Sequence, residues 1–395
     1  MTATPRNVAL DRLRSFVTLL VLLHHSLLAY HPYAPPAAPF TAPALLWTAF
    51  PVVDSVRLPG AEWVVGFNDV FFMALMFLVS GLFVWPALAR RGVVDFVGER
   101  LLRLAVPFMY AAAVLAPLAY YPAWRTSGGG GGGLGVLAFL QDWMRLSVWP
   151  AGPAWFLWVL LVFGVLAAGV YAVAPKAGAA LGRLLIWQKP IVLFGLLAGL
   201  SALVYLPVTH TVDPQAWLSF GPFFVQISRA PIYALYFVVG IGMGAMAFEQ
   251  GLLAPDGPLA RQWRDWLISA PVVYVLLVAI QMGLAKAQSA GTSTDIWRMA
   301  ENLAFVTSCA VSCLAFLALF LRFFKRGGRV GNSLSRNAYG IYLVHYVFVT
   351  WLQWKLLDRP LPAIEKALIV FVGTVLLSWL ATAILRLIPG IARVL

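Results

Sequence analysis

The run Leu303-Ala-Phe-Val-Thr-Ser-Cys-Ala-Val-Ser-Cys-Leu-Ala-Phe-Leu-Ala-Leu-Phe-Leu-Arg-Phe-Phe324 decides the fold class, because it holds a single charged residue, Arg322. It meets the roughly 20 residues that a helix needs to cross a bilayer core. The whole chain of 395 residues has this character, with 62% hydrophobic and 11% charged residues, where an ordinary soluble domain has about 25% charged residues. Because so few charges cannot cover a soluble surface, the sequence predicts an integral membrane protein.

Ten runs of this kind recur along the chain and predict an all-α, polytopic transmembrane bundle of about ten helices. No segment looks like a second folded domain, so residues 1–395 are expected to form a single transmembrane domain. The loops are expected to carry little independent structure, and the six glycines from Gly128 to Gly133 are typical of a flexible outer linker. The predicted spans are 13–30, 71–88, 101–121, 155–173, 191–207, 231–248, 267–285, 303–324, 338–356 and 363–388.

The basic residues indicate the orientation of these spans. With the N-terminus in the cytoplasm, 19 of the 28 Lys and Arg residues fall on the cytoplasmic side, which is the bias that membrane proteins show. This predicts that both termini are cytoplasmic. The formal net charge of +13 therefore does not indicate nucleic-acid binding, because the charges lie between apolar runs and not on one polar face.

The first group of candidate residues consists of Asp11 and Arg14, at the start of the first apolar run, and His25 within it. The spacing from Arg14 to His25 brings both side chains to nearly the same face of a helix, about 16 Å apart along its axis. Asp11 and Arg14 are i,i+3 neighbours and can pair. Titratable groups at membrane depth favour a functional role, but interfacial anchoring by Asp11 and Arg14 and polar helix packing by His25 fit the same pattern. His24 is expected to be structural.

Two further groups carry candidate chemistry. Arg100 and Arg103 lie i,i+3 at the start of the third run, where two guanidinium groups suit phosphate binding and also suit anchoring at the membrane surface. Tyr342 and His345 share a helix face, and His345 either lines a channel or is a satisfied histidine between helices.

Three weaker signals have simpler readings. Gly81 in the second run favours close helix packing, and Trp155 is typical of an interfacial belt. The two cysteines, Cys309 and Cys313, are too few for a metal site, so no metal is expected.

Five motifs in this order resemble the acyltransferase type 3 family of bacterial membrane proteins. The resemblance covers nearly the whole chain. Within the family, the glucan-modifying branch, which succinylates periplasmic glucans, looks similar in its ten-helix layout. The motifs are Asp11-Arg-Leu-Arg14 followed by ten residues and His25, Phe77-Leu-Val-Ser-Gly-Leu82, Arg100-x-x-Arg103 with Pro107, Trp155-Phe-Leu157, and Tyr339-Gly-Ile-Tyr-Leu-Val-His345.

The resemblance implies the substrates and the location. The donor would be acetyl-CoA or another acyl-CoA from the cytoplasm, and the acceptor a hydroxyl of a glycan or lipid-linked sugar at the outer face of the bacterial inner membrane. Membrane lipid is the expected surrounding, and the oligomeric state stays open. The implied catalytic residues are His25 with Arg14 and its neighbour Asp11. Arg100 and Arg103 match the motif associated with the donor, although the adjacent Glu99 weakens their positive field; Tyr342 and His345 are further candidates for donor binding.

The resulting hypothesis is a membrane O-acyltransferase. The phosphates of CoA would lie on Arg100 and Arg103, its thin pantetheine arm would enter the bundle, and His25 would act as a general base or carry the acyl group transiently. Two alternatives belong to other classes. A secondary transporter of a small solute would show an internal repeat and broken helices, and a non-catalytic partner of glycan export would not need His25.

Overall fold

The computed structural model describes residues 7–41, 45–129, 135–185, 188–246 and 251–395. Most of these residues are helical, and one small antiparallel sheet is present. In the first half of the chain the helices are α1 (Val8–Leu28), α2 (Leu45–Ala49), α3 (Ala61–Gly81), α4 (Val84–Arg91), α5 (Val93–Arg100), α6 (Val106–Tyr110), α7 (Ala116–Thr126), α8 (Val136–Met144), α9 (Trp155–Val173) and α10 (Ala177–Leu185).

The second half contains the sheet and the remaining helices. The sheet is a hairpin of β1 (Trp217–Phe220) and β2 (Phe223–Gln226), in which Trp217 pairs with Gln226. The helices are α11 (Pro190–Thr211), α12 (Ala230–Gly244), α13 (Pro258–Arg261), α14 (Trp263–Ser289), α15 (Asp295–Phe323), α16 (Arg329–Leu356), α17 (Ala363–Leu385) and α18 (Pro389–Ala392).

Each of the ten predicted runs overlaps one of these helices, although the edges differ. Among the described residues, seven helical segments are long and apolar enough to cross a membrane, which makes the chain a multi-pass membrane protein. The ten-span count and the cytoplasmic termini remain predictions, because α12 is short and because α1 and α16 lie outside this set. The seven segments are Ala61–Arg91, Val93–Thr126, Gly152–Val173, Pro190–Thr211, Trp263–Ser289, Asp295–Phe323 and Ala363–Leu385.

The helices divide into an interior group and a peripheral group. The most apolar windows of α3 and α15 are 72% buried within the protein, whereas those of α11, α14 and α17 are 22% buried and leave their leucines and valines for lipid. Helix α1 packs against α3, α15, α16 and α17. Helix α1 is therefore surrounded by other helices on several sides, and Ser15, Thr18 and Ser26 are buried among them.

Prolines divide the third span into helical pieces. A proline lacks the N–H that would bond to the carbonyl four residues earlier, so Pro107 and Pro122 free the carbonyls of Arg103 and Leu118. Helix α16 supplies a donor to each of these two carbonyls: the Tyr339 hydroxyl bonds to that of Arg103, and the Trp351 indole bonds to that of Leu118 at 2.8 Å. Two π-helical turns, Leu101–Ala105 and Ala111–Leu115, adjust the remaining bonds. Pro107 and Tyr339, which belong to separate sequence motifs, are thus linked through one backbone group.

Helices α3 and α12 pack backbone against backbone, as Gly81 predicts. A Cβ added at Gly81 would lie 2.2 Å from the Phe237 carbonyl oxygen, and one at Gly240 would lie 2.1 Å from that of Leu78. Glycine is the residue that permits such an approach between membrane helices. This contact fixes the height of α12, whose first turn contributes to the site described below.

Replacing Gly240 with leucine should destabilise the protein, because the side chain collides with the backbone of α3. Overpacking of this kind costs about 1–3 kcal/mol or more. The measurement is the thermal unfolding midpoint of the purified protein in detergent. Gly199→Leu is the matched control, since no atom lies within 4 Å of a Cβ at Gly199. Equal midpoints for the two variants would contradict this packing.

The loops are more structured than the sequence predicts. The β1–β2 hairpin lies between α11 and α12, and the Trp158 indole of α9 donates to the Phe224 carbonyl at 3.0 Å. Alternation is too short in four-residue strands to be recognised beside apolar helices. Of the predicted glycine linker, residues 130–133 lie outside the described residues.

Candidate active site

Two cavities lie between the helices of the bundle. The first, here called the arginine cavity, has a volume of about 430 Å³. Six arginine side chains and two acidic side chains contribute to its wall, so its charge is strongly positive. These charged residues are Asp11, Arg14, Arg90, Arg91, Glu99, Arg100, Arg103 and Arg336.

The second, the histidine cavity, has a volume of about 400 Å³. Both volumes are in the range of small-molecule sites. The hairpin covers part of this cavity with Trp217, Phe224 and Gln226, and aromatic rings form much of its wall. Its titratable residues other than tyrosine are His24, His25, His31, Glu62, Asp69 and Arg229.

Tyr342 is the residue that both cavities share. On α1 the lining changes from Thr18 in the arginine cavity to Val21 in the histidine cavity, and on α3 from Met76 to Met73. Three residues of a helix rise about 4.5 Å, so only a thin wall separates the two. The Tyr342 hydroxyl donates to the carbonyl of Pro153 and closes that wall.

His25 lies in the last turn of α1 and faces the histidine cavity. The last carbonyls of a helix lack intrahelical donors, and Gln353 of α16 donates its side-chain amide to the His25 carbonyl at 2.9 Å. The imidazole packs against the rings of Tyr346, with centroids 5.0 Å apart, and His345, at 5.5 Å. Its position is therefore fixed from α16.

Arg14 and Asp11 lie below His25 on the same helix and line the arginine cavity. Their predicted pairing is confirmed, with Arg14 Nη1 3.6 Å from Asp11 Oδ1. Arg14 also stacks over the Phe83 ring at 5.1 Å. The neighbouring Arg12 has a structural role, since it bonds Asn332 and Ser335 at the start of α16.

Arg100 and Arg103 lie together in the arginine cavity, beside the first π-helical turn. The Arg100 guanidinium lies over the Phe96 ring at 4.9 Å. Glu99 contacts Arg103 at 3.6 Å and also pairs with Arg91. Glu99 thus neutralises part of the charge, as its position in the sequence indicates, while other arginines keep the cavity positive.

His345 is fully buried and is absent from the walls of both described cavities. Its Nδ1 lies 2.6 Å from the Tyr342 carbonyl oxygen. Of the predicted donor-binding pair, Tyr342 therefore reaches a cavity directly, and His345 lies behind His25.

The sequence analysis missed four residues of the histidine cavity. Asp69 and Arg229 form an ion pair of 2.6 Å, and the same guanidinium donates to the Asp69 carbonyl at 2.9 Å. His24, expected to be structural, lines the cavity with its ring stacked on Phe72 at 5.4 Å. Trp155, expected to be an interfacial belt residue, also lines this cavity. A charged residue within an apolar stretch was the available signal for Asp69.

His31, just after α1, and Glu62, in the first turn of α3, bring further polar groups to this cavity. Burial and the nearby Arg57 lower the pKa of the His31 imidazole, against an opposing effect of Glu62. The neutral form of His31 is therefore more favoured than that of a free imidazole. Among the described residues, no group of three or more His, Cys, Asp or Glu side chains is placed to hold a metal ion.

The described residues form a multi-pass helical bundle with two cavities, one lined by arginines and one containing histidines. The sequence profile of the acyltransferase type 3 family, described as an acyltransferase domain, matches residues 7–383. The chain belongs to this family and is an enzyme that transfers acyl groups from a donor to an acceptor. Comparisons with curated proteins and with solved structures gave no match. The family assignment favours neither the transporter nor the non-catalytic partner.

Proposed function

We propose that this enzyme transfers an acetyl or other short acyl group from cytoplasmic acyl-CoA to a hydroxyl of a glycan or lipid-linked sugar at the outer face of the bacterial inner membrane. The observation that carries the proposal is the pair of cavities that meet at Tyr342, with the arginines in one and His25 in the other. In this proposal the arginine end faces the cytoplasm, both termini lie there, and the chain is a single transmembrane domain.

The arginine cavity suits the donor. CoA carries several phosphate charges, and Arg100 and Arg103 offer planar guanidinium groups that bind phosphate oxygens in pairs. Arg14 lines the same cavity and would hold the donor together with them. The axial distance from Arg14 to His25 is about 16 Å, a span that the pantetheine arm would cover past Tyr342.

The histidine cavity suits the acceptor. Trp155, Trp217 and Tyr233 present aromatic faces, and Asp69 and Gln226 present hydrogen-bonding groups. Aromatic rings with a few polar groups are suited to the mixed apolar and hydroxyl surface of a sugar. The hairpin over this cavity would then close over the acceptor.

His25 would act as the general base. Its imidazole takes the proton of the acceptor hydroxyl while the oxygen attacks the carbonyl carbon of the thioester. The carbon–sulfur bond then breaks, and the departing CoA thiolate takes the proton back from the imidazolium. The acyl ester and CoA thiol are the products, and no other reactant is needed.

The test of this function uses the purified protein in liposomes that are loaded with labelled acyl-CoA, with the glycan acceptor outside. Labelled product is expected outside only in those vesicles whose arginine end faces the lumen. Transfer with both substrates restricted to one side would contradict the two-sided arrangement. Movement of a solute without CoA release would point to transport.

Tyr342→Trp should lower kcat at least tenfold, because the larger ring fills the thin wall through which the acyl arm passes. A misplacement of about 1 Å is enough to cost up to 10²-fold in rate. Binding of CoA, measured by calorimetry, should be unchanged because the arginines are intact. Tyr110→Trp makes the same change on an exposed part of the third span and is the control. Normal transfer by Tyr342→Trp would show that the arm takes another path.

A further inference from the structure

His25 and His345 each contain a buried nitrogen that lacks a hydrogen-bond partner within the described residues. These atoms are Nδ1 of His25 and Nε2 of His345. A buried polar atom without a partner costs about 1–3 kcal/mol, so two of them in adjacent rings require an explanation. The ring centroids are 5.5 Å apart with an interplanar angle of 35°, so the two rings are neighbours inside the bundle.

The tautomer of His345 follows from its backbone contact. Its Nδ1 lies 2.6 Å from the carbonyl oxygen of Tyr342. Because a carbonyl oxygen only accepts, Nδ1 of His345 carries the proton and donates it. In a neutral imidazole the other nitrogen, Nε2, is then an acceptor. His345 thus offers a lone pair inside the bundle, next to His25.

The tautomer of His25 decides which of its nitrogens can act as a base. Its Nδ1 is buried and cannot meet a substrate, while the residue lines the histidine cavity. A base that takes a proton at Nε2 must hold its own proton at Nδ1. In solution the two tautomers of a neutral imidazole interconvert, so an acceptor beside Nδ1 selects the useful one.

We propose that His345 is a positioning residue for His25, and that its Nε2 accepts a hydrogen bond from the Nδ1–H of His25 during the reaction. The order is Tyr342 carbonyl, His345, His25 and acceptor hydroxyl. The proton of the hydroxyl moves to Nε2 of His25, and the Nδ1–H bond to His345 stabilises the imidazolium that forms. Orientation of a base by a third group is a general requirement of such sites.

The expected effects on kcat rest on the proposed function, whereas the contact between the two histidine rings does not. This inference also assigns His345 a role other than donor binding, because the residue reaches neither described cavity. The neighbouring Tyr346 ring lies 5.0 Å from His25 and 6.1 Å from His345 and fixes the distance between them.

The kinetic experiment compares His345→Phe with His345→Gln. Phenylalanine keeps a ring in the buried space and removes the acceptor, so kcat should fall about 10–100-fold, as for other supporting partners of active-site groups. The KM values for donor and acceptor should not change. Glutamine keeps a carbonyl oxygen as an acceptor and should recover kcat to within a few fold of the wild type. His210→Phe, at the exposed end of α11, is the control.

The spectroscopic experiment separates this inference from the proposed function. Imidazole ¹⁵N resonances, with His25 assigned by its loss in His25→Ala, should show the Nδ1–H tautomer in the wild type and a mixture in His345→Phe. The inference fails if His25 is protonated at Nε2 in the wild type, or if His345→Phe and His345→Gln are equally slow. If no acyl-CoA supports transfer by the wild type, the proposed function fails and the tautomer measurement still decides this inference.

Discussion

Replacing His25 with alanine is expected to lower acyl transfer by about 10²–10⁴-fold, which is the usual contribution of a general base. His25 lines the histidine cavity together with Tyr342; its backbone carbonyl accepts a hydrogen bond from Gln353, and its ring packs against His345. The measurement is the rate of labelled acyl transfer at saturating donor and acceptor.

The matched control for this variant is His210→Ala, which removes an exposed histidine near the end of α11. The thermal unfolding midpoints of both variants should stay near the wild-type value, because truncation of His25 enlarges an existing cavity. His24→Ala gives a further comparison within the same cavity. Wild-type transfer by His25→Ala would remove the histidine from the mechanism, whatever the effect at His24.

Replacing Arg100 and Arg103 with alanine should raise the KM for acyl-CoA at least tenfold for each residue. A hydrogen bond to a charged group contributes about 1.5–3 kcal/mol, which corresponds to a factor of ten or more. The KM for the acceptor should stay the same, since neither arginine reaches the histidine cavity. Lysine at either position should recover only part of the affinity, because it cannot bind two phosphate oxygens with a planar group.

The change Glu99→Gln supplies a test with the opposite sign. It removes the carboxylate that pairs with Arg91 and Arg103, and the KM for acyl-CoA should therefore fall. The control for the Arg100 and Arg103 variants is Arg298→Ala, which removes a positive charge from an exposed position outside the arginine cavity. An unchanged KM for the donor in the double alanine variant would place the CoA phosphates elsewhere.

The fold class was predictable because an apolar run of membrane length crosses a bilayer as a helix. Every run found in the sequence overlaps a helix, but the start of α3 was placed ten residues too late. Glu62, Asn68 and Asp69 made that segment look polar, and the structure explains why they are tolerated. Glu62 and Asp69 face the histidine cavity, and Asn68 is buried against α1 with its amide directed to the Leu20 carbonyl.

The candidate site was only partly predictable. Helical spacing was enough to place Asp11 and Arg14 together, and the arginine pair at the start of the third span was visible as a motif. Arg229 could not be connected to Asp69 because the two are far apart in the chain and meet only through the packing of α3 on α12. His24 was set aside because its direction differs from that of His25, yet the cavity is wide enough to receive both rings.

The most direct measurement of the central claim is the structure of the protein with a thioether analogue of acyl-CoA, which cannot transfer its acyl group. The phosphates should contact Arg100 and Arg103, and the pantetheine arm should pass Tyr342. The acyl carbon should lie beside the His25 imidazole, with room between them for the hydroxyl of the acceptor. An analogue that ends below Tyr342, or that lies outside the bundle among the lipids, would contradict the account.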